Sequence, residues 1–411
     1  MLATFSTALS ALTADETAIN VVGNNLANLN TPGFKDVVVS FADLVTQSLG
    51  AGSGETQVGG GVGPPITLKQ FAQGAIQSTG GPLDAAIQGD GFFIVKGQEG
   101  ATEYTRGGNF QVNSAGTLET STGNAVQGWS AVGGVLVNSG PTGDITVPTG
   151  TLTTPLATTA TSVSLNLDAT STVATGTFST ALTAYDSLGE THIVTYTFTP
   201  SGTPNQWNYS ASIPAADAAT VTPATGTLIF DSNGLLISPL PTDPQPVIAA
   251  TGLVDGASDM SITWNLYKNG APTMTQFAKT SATSAVTQNG VAAANLSAVS
   301  LGTGGQVIAL YSNGQQVVVG QMAMVSIRNP DSLIGAGNNN YIASGLTAIP
   351  AVGLPGTAGR GTVLGQSVES STVDMATEFT NLIVYQRSYQ ANAHVVTTVD
   401  QLSQETIALK Q

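Results

Sequence analysis

The 411-residue chain contains no cysteine, so it can form no disulfide, no thiolate metal site and no cysteine nucleophile. Charged residues are also scarce, at 9% of the chain against roughly 25% in an average soluble domain. No run of about 18 apolar residues occurs, and the N-terminus lacks a basic segment followed by a continuous apolar core. We therefore expect neither membrane insertion nor a cleaved signal peptide, and export from the cell would need a dedicated route.

The few charges present are mostly acidic. Twenty-five acidic residues against ten basic ones give a net charge of -15, and no Lys or Arg lies between Arg106 and Lys268. A basic surface that could neutralise phosphates is therefore absent, which argues against binding nucleic acid or anionic membranes.

Candidate catalytic residues are equally scarce. A catalytic triad needs a histidine positioned by a carboxylate, and a metal site usually needs several ligands, but the chain has only two histidines. His192 starts the strand that alternates with threonines, and His394, on the predicted C-terminal helix, has no carboxylate three or four residues away. The Gly-rich stretch 59–65 lacks the Lys-Ser/Thr of a phosphate-binding loop. We expect no enzyme activity, no cofactor and no metal.

Both ends of the chain carry helical patterns. The segment 367–411 contains no Gly and no Pro, which predicts one long helix, and apolar residues recur in it every seven positions. A second apolar series with the same period lies in a helix predicted over 2–25. Each series forms an apolar stripe that needs a partner to pack against. We expect the two helices to pack like a coiled coil through these two series: Val368, Met375, Leu382, Tyr389 and Val396, and Phe5, Leu12, Ile19 and Leu26.

Between the helices the pattern is that of β-strands. Val194, Tyr196 and Phe198 alternate with threonines, and the run from Val307 to Val319 predicts a hairpin with Asn313-Gly314 as a type I′ turn. Because the two terminal helices must meet, the β segments are nested. The predicted fold class is mainly β with paired terminal helices, divided into a helical domain (1–30 with 367–411), a connector (31–80 with 355–366), a β domain (81–146 with 297–354) and an inserted outer β domain (147–296).

Two segments resemble signatures of the bacterial flagellar rod and hook protein family. The first follows the N-terminal helix, where Asn and Pro stop the helix and Gly33 allows a turn: Asn24-Asn25-Leu26-Ala27-Asn28 and Asn30-Thr31-Pro32-Gly33-Phe34-Lys35. The second lies in the C-terminal segment: Val368-Glu369-Ser370-Ser371-Thr372-Val373-Asp374, Glu378-Phe379-Thr380-Asn381-Leu382-Ile383 and Tyr385-Gln386-Arg387-Ser388-Tyr389-Gln390-Ala391-Asn392. The insert 147–296 and the closing residues 407–410 are similar to the longer, hook-type members.

The resemblance implies a structural subunit that polymerises with itself into a curved, flexible tube, a universal joint between the basal-body rod and the filament. It also implies rod, hook-cap and hook–filament junction proteins as partners, an extracellular location in the flagellum, and export through the flagellar type III apparatus. The spacing of Phe5 and Leu9 is similar to an export-gate recognition element of that family, although it is also plain helix periodicity. Two alternatives remain open, a distal rod subunit and a secreted β-rich adhesin-like protein.

The assembly residues expected from these patterns lie at both ends of the chain. They are Phe5, Leu9, Leu12, Ile19, Asn24, Asn25, Leu26, Asn28, Asn30, Thr31, Gly33 and Phe34, and Phe379, Leu382, Tyr385, Gln386, Arg387, Tyr389, Asn392 and Val396.

Two further contacts are expected at the C-terminal helix. Ser371 and Asp374 have capping-box spacing, and Arg387 needs a polar partner on the other helix, for which Asp15 or Glu16 is available.

Overall fold

A computed structural model describes residues 2–44, 47–49, 56–97, 99–132, 134–150, 152–173 and 176–408. The chain forms two compact units. The helix-bearing unit comprises 1–149, 298–310 and 316–411, and the inserted unit comprises 150–297 and 311–315. Long-range pairings join early and late segments within the helix-bearing unit, so that unit is discontinuous in sequence.

Among the described residues one α-helix lies near each end of the chain, α1 (Leu2–Ala27) and α2 (Met375–Ala408). Short 3-10 turns lie at Thr303–Gly305 and Pro330–Ser332. Neither described helix has a stretch that is both long and apolar enough to cross a bilayer. α1 ends two residues later than the prediction of 2–25.

The strands of the helix-bearing unit that precede the insert are β1 (Val37–Ser40), β2 (Gln47–Leu49), β3 (Thr56–Val58), β4 (Ile66–Lys69), β5 (Ile76–Ser78), β6 (Ala85–Gln88), β7 (Phe92–Lys96), β8 (Thr102–Thr105), β9 (Phe110–Val112), β10 (Leu118–Thr120), β11 (Ala125–Val132), β12 (Val135–Leu136) and β13 (Gly143–Asp144).

The strands of the inserted unit are β14 (Ala160–Asp168), β15 (Phe178–Tyr185), β16 (Thr191–Pro200), β17 (Gln206–Ser212), β18 (Ala218–Thr222), β19 (Ala224–Phe230), β20 (Leu236–Ser238), β21 (Val247–Leu253), β22 (Met260–Trp264), β23 (Tyr267–Lys268), β24 (Ala271–Pro272), β25 (Met274–Phe277) and β26 (Ala282–Gln288).

The remaining strands are β27 (Leu296–Leu301), β28 (Gln306–Tyr311), β29 (Gln316–Met322), β30 (Met324–Ser326), β31 (Ile334–Gly337), β32 (Asn340–Ile342), β33 (Ala351–Gly353), β34 (Thr362–Gly365) and β35 (Ser367–Glu369). The main sheet of the helix-bearing unit runs β27-β28-β29-β11-β7-β8-β32-β31, with shorter strands attached to it.

In the inserted unit two larger sheets surround one core, and β23 and β24 form a separate two-stranded sheet. One sheet runs β18-β21-β22-β14-β25 with β26 beside β14, and the other runs β15-β16-β17-β19-β20. Side chains of β16 alternate between buried and more exposed positions, as the threonine pattern predicted. Two aromatic residues of β16 pack on Trp264: the ring centroid of Tyr196 lies 4.9 Å from that of Trp264, and the centroid of Phe198 lies 5.9 Å from it.

The predicted fold class is therefore confirmed: the chain is mainly β, with terminal helices packed on each other. The hairpin formed by β28 and β29 is also present, but its turn is not type I′. Of the two central turn residues, only Gly314 has a positive φ, and its amide donates a hydrogen bond to the carbonyl oxygen of Tyr311. A type I′ turn would need positive φ at Asn313 as well. The finer division of the chain into four domains stays a prediction.

Candidate assembly site

The two terminal helices pack antiparallel and are held together by polar side chains. Near the middle of α1, Asp15 accepts hydrogen bonds from Ser388 Oγ (2.9 Å) and Asn392 Nδ2 (3.0 Å). Near its end, Asn25 Nδ2 donates to Glu378 Oε1 (2.9 Å). The order of these contacts fixes the direction, because later residues of α1 meet earlier residues of α2.

The seam of α1 is made of small and polar residues. Its buried positions are Ala8, Ala14, Asp15, Ala18, Val22 and Asn25. The series predicted from the sequence lies beside this seam: Leu12, Ile19 and Leu26 are half-buried and Phe5 is exposed. Three of the six buried positions are alanines, and the bulkier apolar side chains beside them are more exposed. The predicted heptad series therefore lies on the face of α1 next to the buried one.

The C-terminal helix begins later than predicted. Residues 367–369 form β35, which pairs with β5, so Val368 is buried in a strand and does not belong to the helical stripe. Residues 409–411, which the prediction included, lie outside the described residues. Gln366, with φ +56°, separates β34 from β35, and β5 is a strand partner that the Gly and Pro count could not reveal.

Asp374 caps α2 by itself. Its Oδ1 accepts the amide of Thr377 at 2.7 Å, and this hydrogen bond lowers the pKa of Asp374. Ser371 Oγ instead accepts the amide of Val373 at 3.3 Å, before the helix begins. The predicted capping box of Ser371 with Asp374 is therefore wrong, since Asp374 occupies the cap position.

The half-buried face of α2 includes Leu382, Tyr385, Asn392 and Val396 from the predicted set. Tyr385 also meets Phe41 edge-to-face, with ring centroids 6.0 Å apart. The other predicted members, Met375, Phe379, Gln386, Arg387 and Tyr389, are exposed. Among the described residues Arg387 forms no ion pair, and the expected contact with Asp15 or Glu16 is wrong, because Asp15 already bonds Ser388 and Asn392.

Large apolar side chains remain exposed on both flanks of this helix pair. On α2 the exposed fractions are 50% for Phe379, 58% for Ile383 and 50% for Leu402, and on α1 they are 42% for Phe5 and 49% for Leu9. Val384, Val395 and Ile407 are exposed as well. A single copy of the chain thus leaves a substantial apolar surface uncovered on this element.

The Asn-rich segment after α1 fixes the exit of the chain. Asn25 is 1% exposed and both accepts from the amide of Val37 (3.1 Å) and donates to its carbonyl (2.8 Å). Asn28 Oδ1 accepts from Thr31 Oγ1 at 3.0 Å. Gly33 has φ +70°, and a Cβ there would collide with the backbone of Arg106 and Gly107. Asn24 and Asn30 stay exposed, and Phe34 is buried.

Directly after this segment lies a buried cluster of charges. Glu369 Oε1 accepts from Lys35 Nζ (2.6 Å) and from the amide of Gly74 (2.8 Å), and its Oε2 accepts from Arg106 (3.2 Å). The side chains of Lys35 and Glu369 are fully buried. Burial lowers the pKa of Lys35, although the bond to Glu369 opposes the shift. This cluster, the Lys35–Glu369–Arg106 triad, joins the exit of α1, the main sheet and the approach to α2.

Sequence reasoning missed the triad and the alanine seam. Lys35 and Glu369 lie in the two segments that resemble family signatures, and Arg106 lies outside both. Nothing in the sequence pattern, however, gives the pairing of residues 334 positions apart.

Profiles of four protein families match successive parts of the chain. They are described as Flagella basal body rod protein (residues 5–35), Flagellar hook protein FlgE/F/G D1 domain (86–173), Flagellar basal body protein FlaE D2 domain (153–291) and Flagellar basal body rod FlgEFG protein C-terminal (364–409). The matches include the Asn-rich segment and α2.

Curated relatives match over essentially the whole length. The flagellar hook protein FlgE of Treponema pallidum (strain Nichols) is 32% identical over 465 residues, which cover 100% of both chains. The FlgE proteins of Salmonella typhimurium (strain LT2) and Escherichia coli (strain K12) are 32% and 31% identical, over 99% of this chain and 100% of each relative. The chain therefore belongs to the flagellar hook protein family, FlgE.

Proposed function

We propose that the chain is a structural subunit of the flagellar hook, which polymerises with copies of itself through the two terminal helices. The observation that carries this is the apolar surface on the flanks of the helix pair. The buried positions of α1 are mostly alanines and polar residues, while Phe379, Ile383 and Leu402 of α2 are exposed. Surfaces of this kind are covered by another protein or form part of an assembly.

In this proposal the helix pair, with segments 1–30 and 367–411, forms the inner layer of a tube that links the rod to the filament. The partners are further copies of the chain, the rod, the hook-cap and the hook–filament junction proteins. The subunit works outside the cell and reaches that place through the flagellar export apparatus. Its role is mechanical, and catalysis is no part of it.

The helix pair also suggests when order develops. α2 is rich in β-branched residues and lacks opposite-charge pairs at helical spacing, so it is a weak helix by itself. We propose that both terminal segments become fully helical only as subunits assemble. Far-UV circular dichroism should show more helix per chain in the polymer than in the monomer, and equal helix content in the two forms would refute this coupling.

The assembly surface can be tested with a double variant on α2. Phe379→Ser with Ile383→Ser removes two half-exposed apolar groups, and each loss should weaken a contact between copies by about 1 kcal/mol. Together they should raise the protein concentration needed for polymerisation by on the order of 30-fold. The stability of the monomer should change little, because neither side chain is buried in it.

Electron microscopy and sedimentation across a concentration series provide the readout. Leu346→Ser, which removes an 85% exposed leucine outside the helices, is the matched control and should polymerise like the original chain. Curved tubes are expected. Straight tubes would indicate a rod subunit, and a protein that forms no tubes at any concentration would contradict the proposal and favour an adhesin-like role.

A further inference from the structure

A histidine surrounded by three aspartates lies at one end of the inserted unit. His192 is on β16, Asp186 begins the hairpin turn before it, Asp217 directly precedes β18, and Asp255 lies in the turn between β21 and β22. The turns that carry Asp186 and Asp255 are tied together, because the amide of Ser258 donates to Ser187 Oγ at 2.9 Å. Three separate connections thus bring these side chains to one place.

The two ring nitrogens of His192 have different surroundings. Nδ1 lies 3.0 Å from Asp217 Oδ2, and Nε2 lies 3.2 Å from Asp186 Oδ2. Ligand atoms of His192, Asp186 and Asp255 all lie within 4.8 Å of one another. Asp186 and His192 are buried, whereas Asp255 is exposed, so this side of the group is open to solvent.

The cluster has more negative charge than it can pair internally. Even a protonated histidine balances only one of the three carboxylates. No Lys or Arg is present in the sequence from residue 107 to residue 267, so a basic side chain from the same stretch cannot supply the missing charge.

We propose that His192 Nε2, Asp186 Oδ2 and a carboxylate oxygen of Asp255 form a binding site for a divalent transition-metal cation such as Zn²⁺. Zinc bonds of 2.0–2.1 Å in a tetrahedral arrangement place neighbouring ligand atoms roughly 3.3 Å apart, which agrees with the 3.2 Å between Nε2 and Asp186 Oδ2. The exposed side leaves a position for a water molecule as the fourth ligand.

Asp217 has a different role in this site. It bonds the nitrogen of His192 that faces away from the other two ligands, and in this way sets the tautomer and the orientation of the ring. Metal-bound histidines nearly always donate their second ring N–H to a carboxylate or carbonyl in this manner. Asp186 is oriented by the turn itself, since its Oδ1 accepts the amides of Leu188 (2.8 Å) and Glu190 (2.9 Å) and leaves Oδ2 toward the site.

The test is a calorimetric titration of the full-length monomer with Zn²⁺ alone in metal-free buffer. One ion per chain should bind. Asp255→Asn should weaken binding by more than tenfold, and Asp217→Asn by roughly 10–100-fold, as for other residues that orient a ligand. Asp255 is exposed and Asn keeps the oxygen that accepts the amide of Ala257, so this variant should fold normally.

His394→Ala is the matched control, because it removes the other histidine of the chain, which is exposed on α2. It should leave the affinity for Zn²⁺ unchanged. Mg²⁺ at equal concentration should not displace Zn²⁺, since a histidine ligand disfavours the harder ion. Absence of Zn²⁺ binding, or binding lost in His394→Ala and kept in Asp255→Asn, would overturn the proposal and leave the cluster as an internal ion pair.

Discussion

The inserted unit and the terminal helix pair handle their apolar side chains in opposite ways. In the inserted unit, Trp264, Trp207 and Tyr196 are almost completely buried between two sheets of the same chain. In the helix pair, the buried positions of α1 are mostly alanines and polar residues, while Phe379, Ile383 and Leu402 of α2 are exposed. One region completes its core within a single copy, and the other leaves apolar surface exposed, which the proposed assembly would cover. The hydrophobicity of a residue therefore does not by itself show whether the residue is buried in one copy of the chain. Its position in the fold decides that.

The largest expected effect concerns the triad that anchors the helix pair. Glu369→Ala leaves Lys35 and Arg106 buried without their carboxylate, which should cost about 3–5 kcal/mol of unfolding free energy. Denaturant unfolding followed by far-UV circular dichroism should show the loss. Two of the three tryptophans, Trp207 and Trp264, lie in the inserted unit, so the fluorescence transition should move much less.

Glu405→Ala, on an exposed position of α2, is the matched control and should change stability by less than about 0.5 kcal/mol. If Glu369→Ala shifted the tryptophan fluorescence transition as strongly as the dichroism, the two regions would unfold as one and the comparison between them would fail.

The next largest change in stability is expected from substitutions at two glycines. Gly33→Ala places a Cβ 2.7 Å from the amide nitrogen of Gly107, at a φ of +70°, and should destabilise the protein by about 1–3 kcal/mol. Gly23→Ala, within α1, has nothing within 4 Å of its added Cβ and should stabilise the helix by about 0.5–1 kcal/mol. Thermal unfolding of both variants measures the difference, and equal signs would contradict it.

The smallest effect concerns Glu378 and depends on pH. Burial, with help from Asp36 and Asp374, raises the pKa of Glu378, although the bond from Asn25 opposes this. A raised pKa in the folded state means that protonation favours folding. Its contribution is present below the unfolded pKa near 4.5 and is lost as the pH rises through the folded value.

Glu378→Gln should therefore raise the Tm at pH 7 by roughly 1 °C and change it less at pH 4. Differential scanning calorimetry at both pH values is the measurement. Glu405→Gln, the exposed counterpart on the same helix, should show no such difference. A variant that is destabilised more at pH 7 than at pH 4 would reverse the assigned sign.

Local patterns predicted the existence and type of the main elements. The absence of Gly and Pro predicted α2, the Asn-rich segment predicted the end of α1, and the threonine alternation around Tyr196 predicted a half-buried strand. These signals depend on neighbours within a few residues, which is the range over which backbone preference and periodicity act.

What the sequence could not supply was the choice of face and partner. Phe5 and Leu12 form a stronger apolar series than Ala8 and Ala18, yet the smaller residues are the buried ones, a choice that hydrophobicity alone does not predict. The partner of Lys35 and that of Asp15 are set by folding over several hundred residues, and no local pattern encodes them.

The triad also orders events in time. Lys35 appears early in synthesis, whereas Glu369 follows 334 residues later, so the buried amine has no counter-ion while most of the chain is still being made. During synthesis almost the entire polypeptide must leave the ribosome before Lys35 can meet this carboxylate. A nascent or truncated chain that lacks residue 369 thus leaves the Lys35 amine without the partner that it bonds in the complete fold.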